Sequence, residues 1–299
     1  MKTIKSNAGF SMIELSITIL VIGVLVVGII KGSKILREAK LKSAQSLTKG
    51  SIITSTDDLI LWLETSMDGS VNNKPANTIA ESAQITSWND ASFNKYVLRS
   101  AGSTPPSFTA SGIGSLPSIQ FDGVDDGLDV SGFNLGANYS VFVVFKSNTT
   151  SIQQEFMALR KTGTDNFAMF LELAIGGTFR SVHRSPVSTT GGDSVTSVSA
   201  FSTNKNYIYS YIRNYSKSRT DLWLNNTSFI SGGAATLGAF DVNNLELAVG
   251  FLGLAPGFVT YRNLNGMMSE MIVINRAVKD SERTEIQSYL SRKYDIKLN

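Results

Sequence analysis

The chain has 299 residues, of which 42% are hydrophobic and 17% are charged. This composition predicts a folded chain with a sizeable core rather than a disordered one. The sequence contains no cysteine and one histidine, His183, which excludes a disulfide framework, a thiolate metal site and any site that needs two histidines.

The net charge of +3 is unevenly distributed along the chain. The segment 31–49 holds six basic residues and one acidic residue, whereas 50–299 holds 19 basic and 22 acidic residues. The basic character therefore belongs to a short segment near the N-terminus. The acidic remainder argues against nucleic acid as a partner.

The first predicted element is an apolar run of 21 residues, Phe10 to Ile30, whose one charge is Glu14. As a helix it would be about 30 Å long, the thickness of a bilayer core. It is longer than the ~7–15 residues of a signal-peptide core. A carboxylate within a membrane helix costs roughly 2.5–3.5 kcal/mol, which favours a functional role for Glu14 over a plain anchor.

The residues around this run resemble the processing motif of type IV prepilins. The stretch 5–15, KSNAGFSMIEL, has a basic leader, a glycine followed by phenylalanine, and a glutamate four residues further on. The resemblance implies that a prepilin peptidase/methyltransferase removes a leader, 1–9, by cutting between Gly9 and Phe10, and then methylates Phe10. Glu14 lies one helical turn from the new amino group, so it is predicted to pair with that group in a neighbouring pilin subunit and to set the register of assembly.

By this resemblance, 10–56 is a transmembrane and filament-core helix. The precursor is then expected in the bacterial inner membrane and the mature chain in an extracellular pilus filament. Two features depart from the family pattern. No proline lies in or just after the apolar run, and the basic residues of 31–42 follow the run, which by the positive-inside rule would place the next domain in the cytoplasm.

From residue 57 onward, short alternating or apolar runs are separated by Gly, Asn, Ser and Pro. Asn225-Asn226 indicates a hairpin turn, and 281–293 has helical apolar spacing. Many strands without intervening helices predict an all-β sandwich with a short C-terminal helix. The predicted strands are Leu59–Leu63, Ser118–Phe121, Tyr139–Lys146, Phe167–Leu173, Tyr207–Arg213, Asp221–Leu224, Leu245–Gly250 and Met267–Ile274.

Several segments of this head, 57–299, resemble the laminin-G-like, concanavalin A-like jelly-roll family. They include LILWLE at 59–64, IQFDGVDDGL at 119–128 and YSVFVVF at 139–145. The resemblance covers nearly the whole head and implies a lectin-like domain with an extracellular glycan or protein ligand, whose binding residues the sequence does not identify.

Calcium is the one cofactor that the sequence suggests. Asp122, Asp125 and Asp126 are crowded into one turn, and clustered carboxylates supply the oxygen ligands that calcium takes. The alternative is a polar turn whose carboxylates accept backbone N–H groups.

Aromatic and catalytic candidates are few. Trp62 and Trp223 lie in apolar strand patterns typical of a core, and Trp88 is expected nearer the surface but packed. His183 is expected to be solvated. A glycoside hydrolase needs two carboxylates flanking the cleaved bond. Because Glu172 and Glu270 each have no same-face acidic partner in sequence, the chain is predicted not to be an enzyme.

The combined prediction is a modular, minor type IV pilin that enters a filament through its N-terminal helix and displays a lectin-like head for adhesion. Two alternatives remain open. The first is a structural pilin or pseudopilin of a pilus or type II secretion system with no ligand. The second is an unprocessed, membrane-anchored lectin-like protein.

Overall fold

The structure, a computed structural model, describes residues 12–101, 104–164, 166–252 and 262–299, and of 27–31 the backbone alone. These described residues form sixteen β-strands. The strands are β1 (Leu59–Glu64), β2 (Ser87–Asn89), β3 (Val97–Ser100), β4 (Ser107–Thr109), β5 (Ser118–Asp122), β6 (Leu128–Phe133), β7 (Tyr139–Ser147), β8 (Gln154–Arg160), β9 (Phe167–Ala174), β10 (Thr178–Ser188), β11 (Asp193–Thr196), β12 (Asn206–Asn214), β13 (Arg219–Leu224), β14 (Thr227–Gly233), β15 (Leu245–Val249) and β16 (Asn265–Ile274).

The N-terminal element is helix α1 (Met12–Lys49), a stretch without proline. The helix ends before Gly50, and the Ser51 hydroxyl donates to a carbonyl of the last turn at 2.8 Å. Such side-chain bonds compete with helical ones, and a separate 3₁₀ turn, Ile52–Ser55, follows. The fold class is therefore corrected here, because the helix predicted over 10–56 is not one continuous element.

The predicted membrane span lies only partly within the described chain, since Phe10 and the side chains of 27–31 lie outside it. Across the residues that the structure describes, no helix is both long enough and apolar enough to cross a bilayer. The predicted location of the precursor in the inner membrane is corrected by this finding.

The strands form two eight-stranded antiparallel sheets. Sheet A has the order β14-β13-β12-β7-β16-β5-β4, with β1 beside the C-terminal half of β16. Sheet B has the order β11-β10-β9-β8-β15-β6-β3-β2. Because both sheets contain strands from the beginning and the end of the head, residues distant in sequence meet along each face.

Alternation along the strands builds the core. On β7, Val141, Val143 and Phe145 point between the sheets, whereas Phe142 and Val144 point to the outer face of sheet A. That outer face is covered by helix α2 (Asp280–Tyr294) and by the end of α1. The sandwich thus has one apolar layer inside and a second under its helices.

All eight predicted strands are confirmed, and α2 confirms the helix predicted at 281–293. Asn225 and Asn226 join β13 to β14 with φ of 47° and 70°, as a type I′ hairpin requires. The sequence analysis missed β2, β3, β4, β6, β8, β10, β11 and β14.

Candidate ligand-binding site

A groove of about 630 Å³ opens where the end of α1 meets one edge of the sandwich. One wall is the helix end with the turn after it, and the other is β2 and β3, the edge of sheet B. We call it the neck groove. Its lining residues are Thr48, Lys49, Thr54, Trp62, Met67, Asp68, Gly69, Ser70, Asn73, Ser87, Asn89, Asp90, Ala91, Lys95, Tyr96, Val97 and Arg99.

Hydrogen bonds to Asp90 fix the wall behind the neck groove. The buried Asp90 carboxylate accepts the backbone N–H groups of Trp62 at 2.7 Å, Ser92 at 2.8 Å and Tyr96 at 3.2 Å. Asn89 donates to the Gly69 carbonyl at 2.6 Å. The groove therefore has a preorganised polar wall, which is typical of sites that bind small polar ligands.

The acidic turn brings the predicted carboxylates together. Oxygens of Asp122, Asp125 and Asp126 lie within 4.8 Å of one another. The Asp126 carboxylate accepts the Asp122 N–H at 2.7 Å, and the Asp122 carboxylate accepts the Val124 N–H at 2.7 Å. The turn thus has both predicted features. Its carboxylates accept backbone N–H groups, as in a purely structural polar turn, and their oxygens form the kind of cluster that calcium binds.

Burial disfavours the charged form of one carboxyl in this turn, that of Asp126. Burial, together with the nearby carboxylates of Asp122 and Asp125, raises the pKa of Asp126 to about 6, against the lowering effect of the Asp122 N–H. Asn263, which donates to the Val124 carbonyl, has a buried Oδ1 without a hydrogen-bond partner in the described part of the chain. Asn263 therefore contacts the acidic turn through its amide nitrogen, and a neutral amide oxygen is a ligand type that a hard cation accepts.

The outer face of sheet B carries an acidic pair that the sequence analysis missed. Glu155 on β8 lies directly opposite Glu172 on β9, and both side chains are fully buried. One nitrogen of Arg262 contacts Glu155 at 3.2 Å and Glu172 at 2.9 Å, so the contacting carboxylate oxygens lie at most 6.1 Å apart. Burial first, and then the charge of Glu172, raises the pKa of Glu155 well above its usual range, although Arg262 opposes the shift.

Two predictions for aromatic residues change. Trp88 is fully buried, with its indole N–H donating to the Glu64 carbonyl at 2.9 Å, so it is not a surface residue. His183 is also buried, stacked on Phe240 at 4.5 Å, and not solvated as predicted. Burial, and next the charge of Arg213, lowers the pKa of His183 to about 4.

The other two tryptophans pack as predicted. Trp62 is buried on the outer face of sheet A, and Trp223 packs against the same layer with the Arg283 guanidinium 4.4 Å from its ring. Trp223 lies outside the neck groove, whereas Trp62, which is 5% exposed, contributes to its lining.

The predicted processing residues Gly9 and Phe10 lie outside the described residues. Glu14 is exposed in the first turn of α1, where its carbonyl accepts the Thr18 hydroxyl at 2.7 Å. The structure therefore leaves their roles in cleavage, methylation and assembly as predictions.

No protein-family model and no curated protein matches the sequence. Solved structures do match. A sialidase of Trypanosoma rangeli in complex with sialic acid is 14% identical, with a TM-score of 0.50, and the match covers 81% of this chain and 34% of the sialidase. The binding domain of botulinum neurotoxin serotype D is 12% identical, with a TM-score of 0.53, and the match covers 80% of this chain and 52% of that one.

This likeness shows the fold alone. It confirms the lectin-like β-sandwich resemblance and gives no support to the pilin resemblance, which stays a prediction. The chain spans about a third of the sialidase's length and about half of the neurotoxin chain.

The prediction that the chain is not an enzyme is corrected. The sandwich fold of this chain also occurs in sialidases. The prediction also assumed that Glu172 has no acidic partner on the same face of the sheet, whereas Glu155 lies directly opposite it.

Proposed function

We propose that the β-sandwich head is a glycan-binding module and that the neck groove is its binding site. The observation that carries the proposal is the composition of this groove. It offers amides at Asn73 and Asn89, a hydroxyl at Ser87, cationic groups, and the half-buried ring of Tyr96. Sugars are bound by such sets, because their hydroxyls need several directed hydrogen bonds and their C–H faces pack on aromatic rings.

The fold comparisons support this proposal at the level of architecture. One matching sialidase was solved with sialic acid bound, and one matching neurotoxin chain is a receptor-binding domain. Proteins that contain a sandwich of this shape therefore include ones that bind ligands or receptors. The position of the site here rests on the groove and not on those proteins.

The proposal extends to the N-terminal helix, which we take to carry the head into a type IV-like filament as a minor subunit near the tip. Its support is the motif at 5–15 and the way the end of α1 is held. Gln45 donates to the Ser66 carbonyl at 2.9 Å, and the Thr48 hydroxyl lies 3.3 Å from that of Tyr289. A helix fixed to the head by such contacts can position it on an assembly of neighbouring helices.

Screening the full chain against a glycan array tests the binding proposal. We expect binding that falls at least tenfold in the Asn73→Gly variant, which keeps the positive φ of 57° while removing an amide from the neck groove. Lys297→Ala, an exposed change away from the groove, is the matched control and should bind normally. Absence of binding to every glycan would favour a structural pilin or pseudopilin without a ligand.

The filament proposal has a separate test. Mass spectrometry of protein from sheared surface filaments should find a peptide that begins at N-methylated Phe10. A peptide that begins at Met1 and is absent from filaments would remove the proposal and leave the glycan-binding head unaffected.

A further inference from the structure

The neck groove presents an excess of positive charge. Three of its lining side chains are the exposed cations Lys49, Lys95 and Arg99, which come from α1, a loop and β3. Within the described chain, none of the three takes part in an ion pair. Their charges are therefore not balanced by neighbouring carboxylates.

The two acidic residues of the groove both accept hydrogen bonds from the protein, although Asp68 is exposed. Asp90 is 4% exposed, and besides its backbone partners it accepts the Ser92 hydroxyl at 2.6 Å. One oxygen of Asp68 accepts the Ala76 N–H at 3.0 Å and faces the Gln45 amide at 3.5 Å. These bonds fix both carboxylates at the groove wall, and the three cations of the lining outnumber them by one.

A neighbouring acid on sheet B is a weak partner for these cations. Asp129 is the cross-strand partner of Arg99, but burial and then the charge of Glu246 raise its pKa to about 6, which weakens it as a negative partner. The basic segment 31–49 adds to the same field, because it ends at the groove wall with Lys49. A cleft with an excess of one sign of charge attracts ligands of the opposite sign.

From this arrangement we infer that the neck groove selects an acidic glycan, one whose sugar rings carry carboxylate groups. The inference rests on the proposed function, since it names the ligand class of the same site. The three cations receive the acidic groups, while Asn73, Asn89 and Ser87 bond the hydroxyls. A groove of about 630 Å³ lies within the usual size of small-ligand sites, roughly 300–1,000 Å³.

The test uses a matched pair of ligands. Isothermal titration of the full chain compares an unsulfated tetrasaccharide that contains two glucuronates with the same tetrasaccharide after methyl esterification. The acid should bind at least tenfold more tightly than the ester, and raising the salt concentration should weaken only the acid, because exposed charges are screened. Arg99→Gln and Lys95→Gln should each weaken the acid by about threefold to tenfold.

Arg219→Gln is the matched control, because it removes an arginine that is 47% exposed on β13 of the other sheet. Equal binding of acid and ester would overturn the inference while leaving the glycan-binding function in place. No binding of either ligand would overturn both. Acid binding that Arg99→Gln and Lys95→Gln leave unchanged would place the acid site elsewhere and also overturn the inference.

Discussion

Replacing Lys293 by methionine tests how the helices are held on sheet A. Lys293 is fully buried, and its ammonium group donates to Glu64 at 2.7 Å and to Glu270 at 2.8 Å, both of which are also fully buried. Burial alone would lower the pKa of Lys293, but the charges of Glu270 and Glu64 outweigh it and raise that pKa well above its usual range. Lys293 is therefore charged, and its loss leaves two buried carboxylates without a cation.

The expected loss of unfolding free energy is about 3–5 kcal/mol, the usual cost of removing one partner from a buried pair. We expect a loss of stability at the lower end of that range, because both carboxylates keep hydrogen bonds from other donors after Lys293 is removed. Glu270 also accepts the Trp62 indole N–H at 2.8 Å and the Tyr294 hydroxyl at 3.0 Å. Glu64 also accepts the Ser66 hydroxyl at 2.6 Å.

Urea unfolding of the full chain, followed by tryptophan fluorescence, measures this loss. Lys297→Met, at an exposed lysine near the C-terminus, is the control and should change stability by less than about 0.5 kcal/mol. Adding Glu270→Gln to Lys293→Met removes one of the two buried carboxylates that lack a cation. The double variant should therefore recover part of the lost unfolding free energy. A loss below about 1 kcal/mol for Lys293→Met, or no recovery in the double variant, would refute the reasoning.

Three further predictions concern other buried or clustered groups. Because the pKa of His183 is about 4 when folded and 6.5 ordinarily, the unfolded chain takes up its proton first as pH falls, so stability is lost between pH 6.5 and 4 by about 3 kcal/mol in total. Unfolding of His183→Gln should lack this dependence relative to the wild type, and identical pH profiles would contradict it. Because burial and the charge of Glu172 raise the pKa of Glu155 and so disfavour its charged form, Glu155→Gln should cost less than about 1 kcal/mol in urea unfolding, and a loss above about 3 kcal/mol would contradict this reasoning. Calcium should raise the thermal midpoint of the wild type but not of Asp126→Asn, and equal midpoints with calcium and with chelator would assign the acidic turn a purely structural role.

The sequence predicted the central strands because their signal is strong. A strand such as β7, buried on both faces, has an uninterrupted apolar run at its centre, and β9, β12 and β16 are largely apolar with one or two polar residues inside the run. Four of the eight missed strands, β2, β4, β11 and β14, lie at sheet edges, and β6 carries polar residues that break the alternation. Short edge strands are identified by their neighbours, which a single sequence does not reveal.

Partners across strands were equally hidden. Along its own strand Glu172 has no acidic residue on the same face, and a sequence pattern shows only such neighbours along one strand. Its partner, Glu155, precedes it by a hairpin and meets it through register. His183 was judged to be solvated because polar residues flank it in sequence, yet a stacked Phe240 from a distant loop buries it. Register and loop packing decide both environments, and neither has a local periodic signal.

The neck groove shows the same limit at a larger scale. Its lining comes from the end of α1, from β1 and the loop after it, and from the β2–β3 edge, so its residues span 48 to 99 in sequence. Each segment alone has a structural interpretation, whether helix end, turn or edge strand. What makes them a site is that Lys49, Lys95 and Arg99 remain exposed in one groove, where Asp90 is buried and bonded to the backbone. The net charge of −3 over the head argued against nucleic acid as a partner and gave no sign of this local excess of cations. The local field at a binding site depends on which charges the fold has already paired, and here the fold leaves the cations for a ligand.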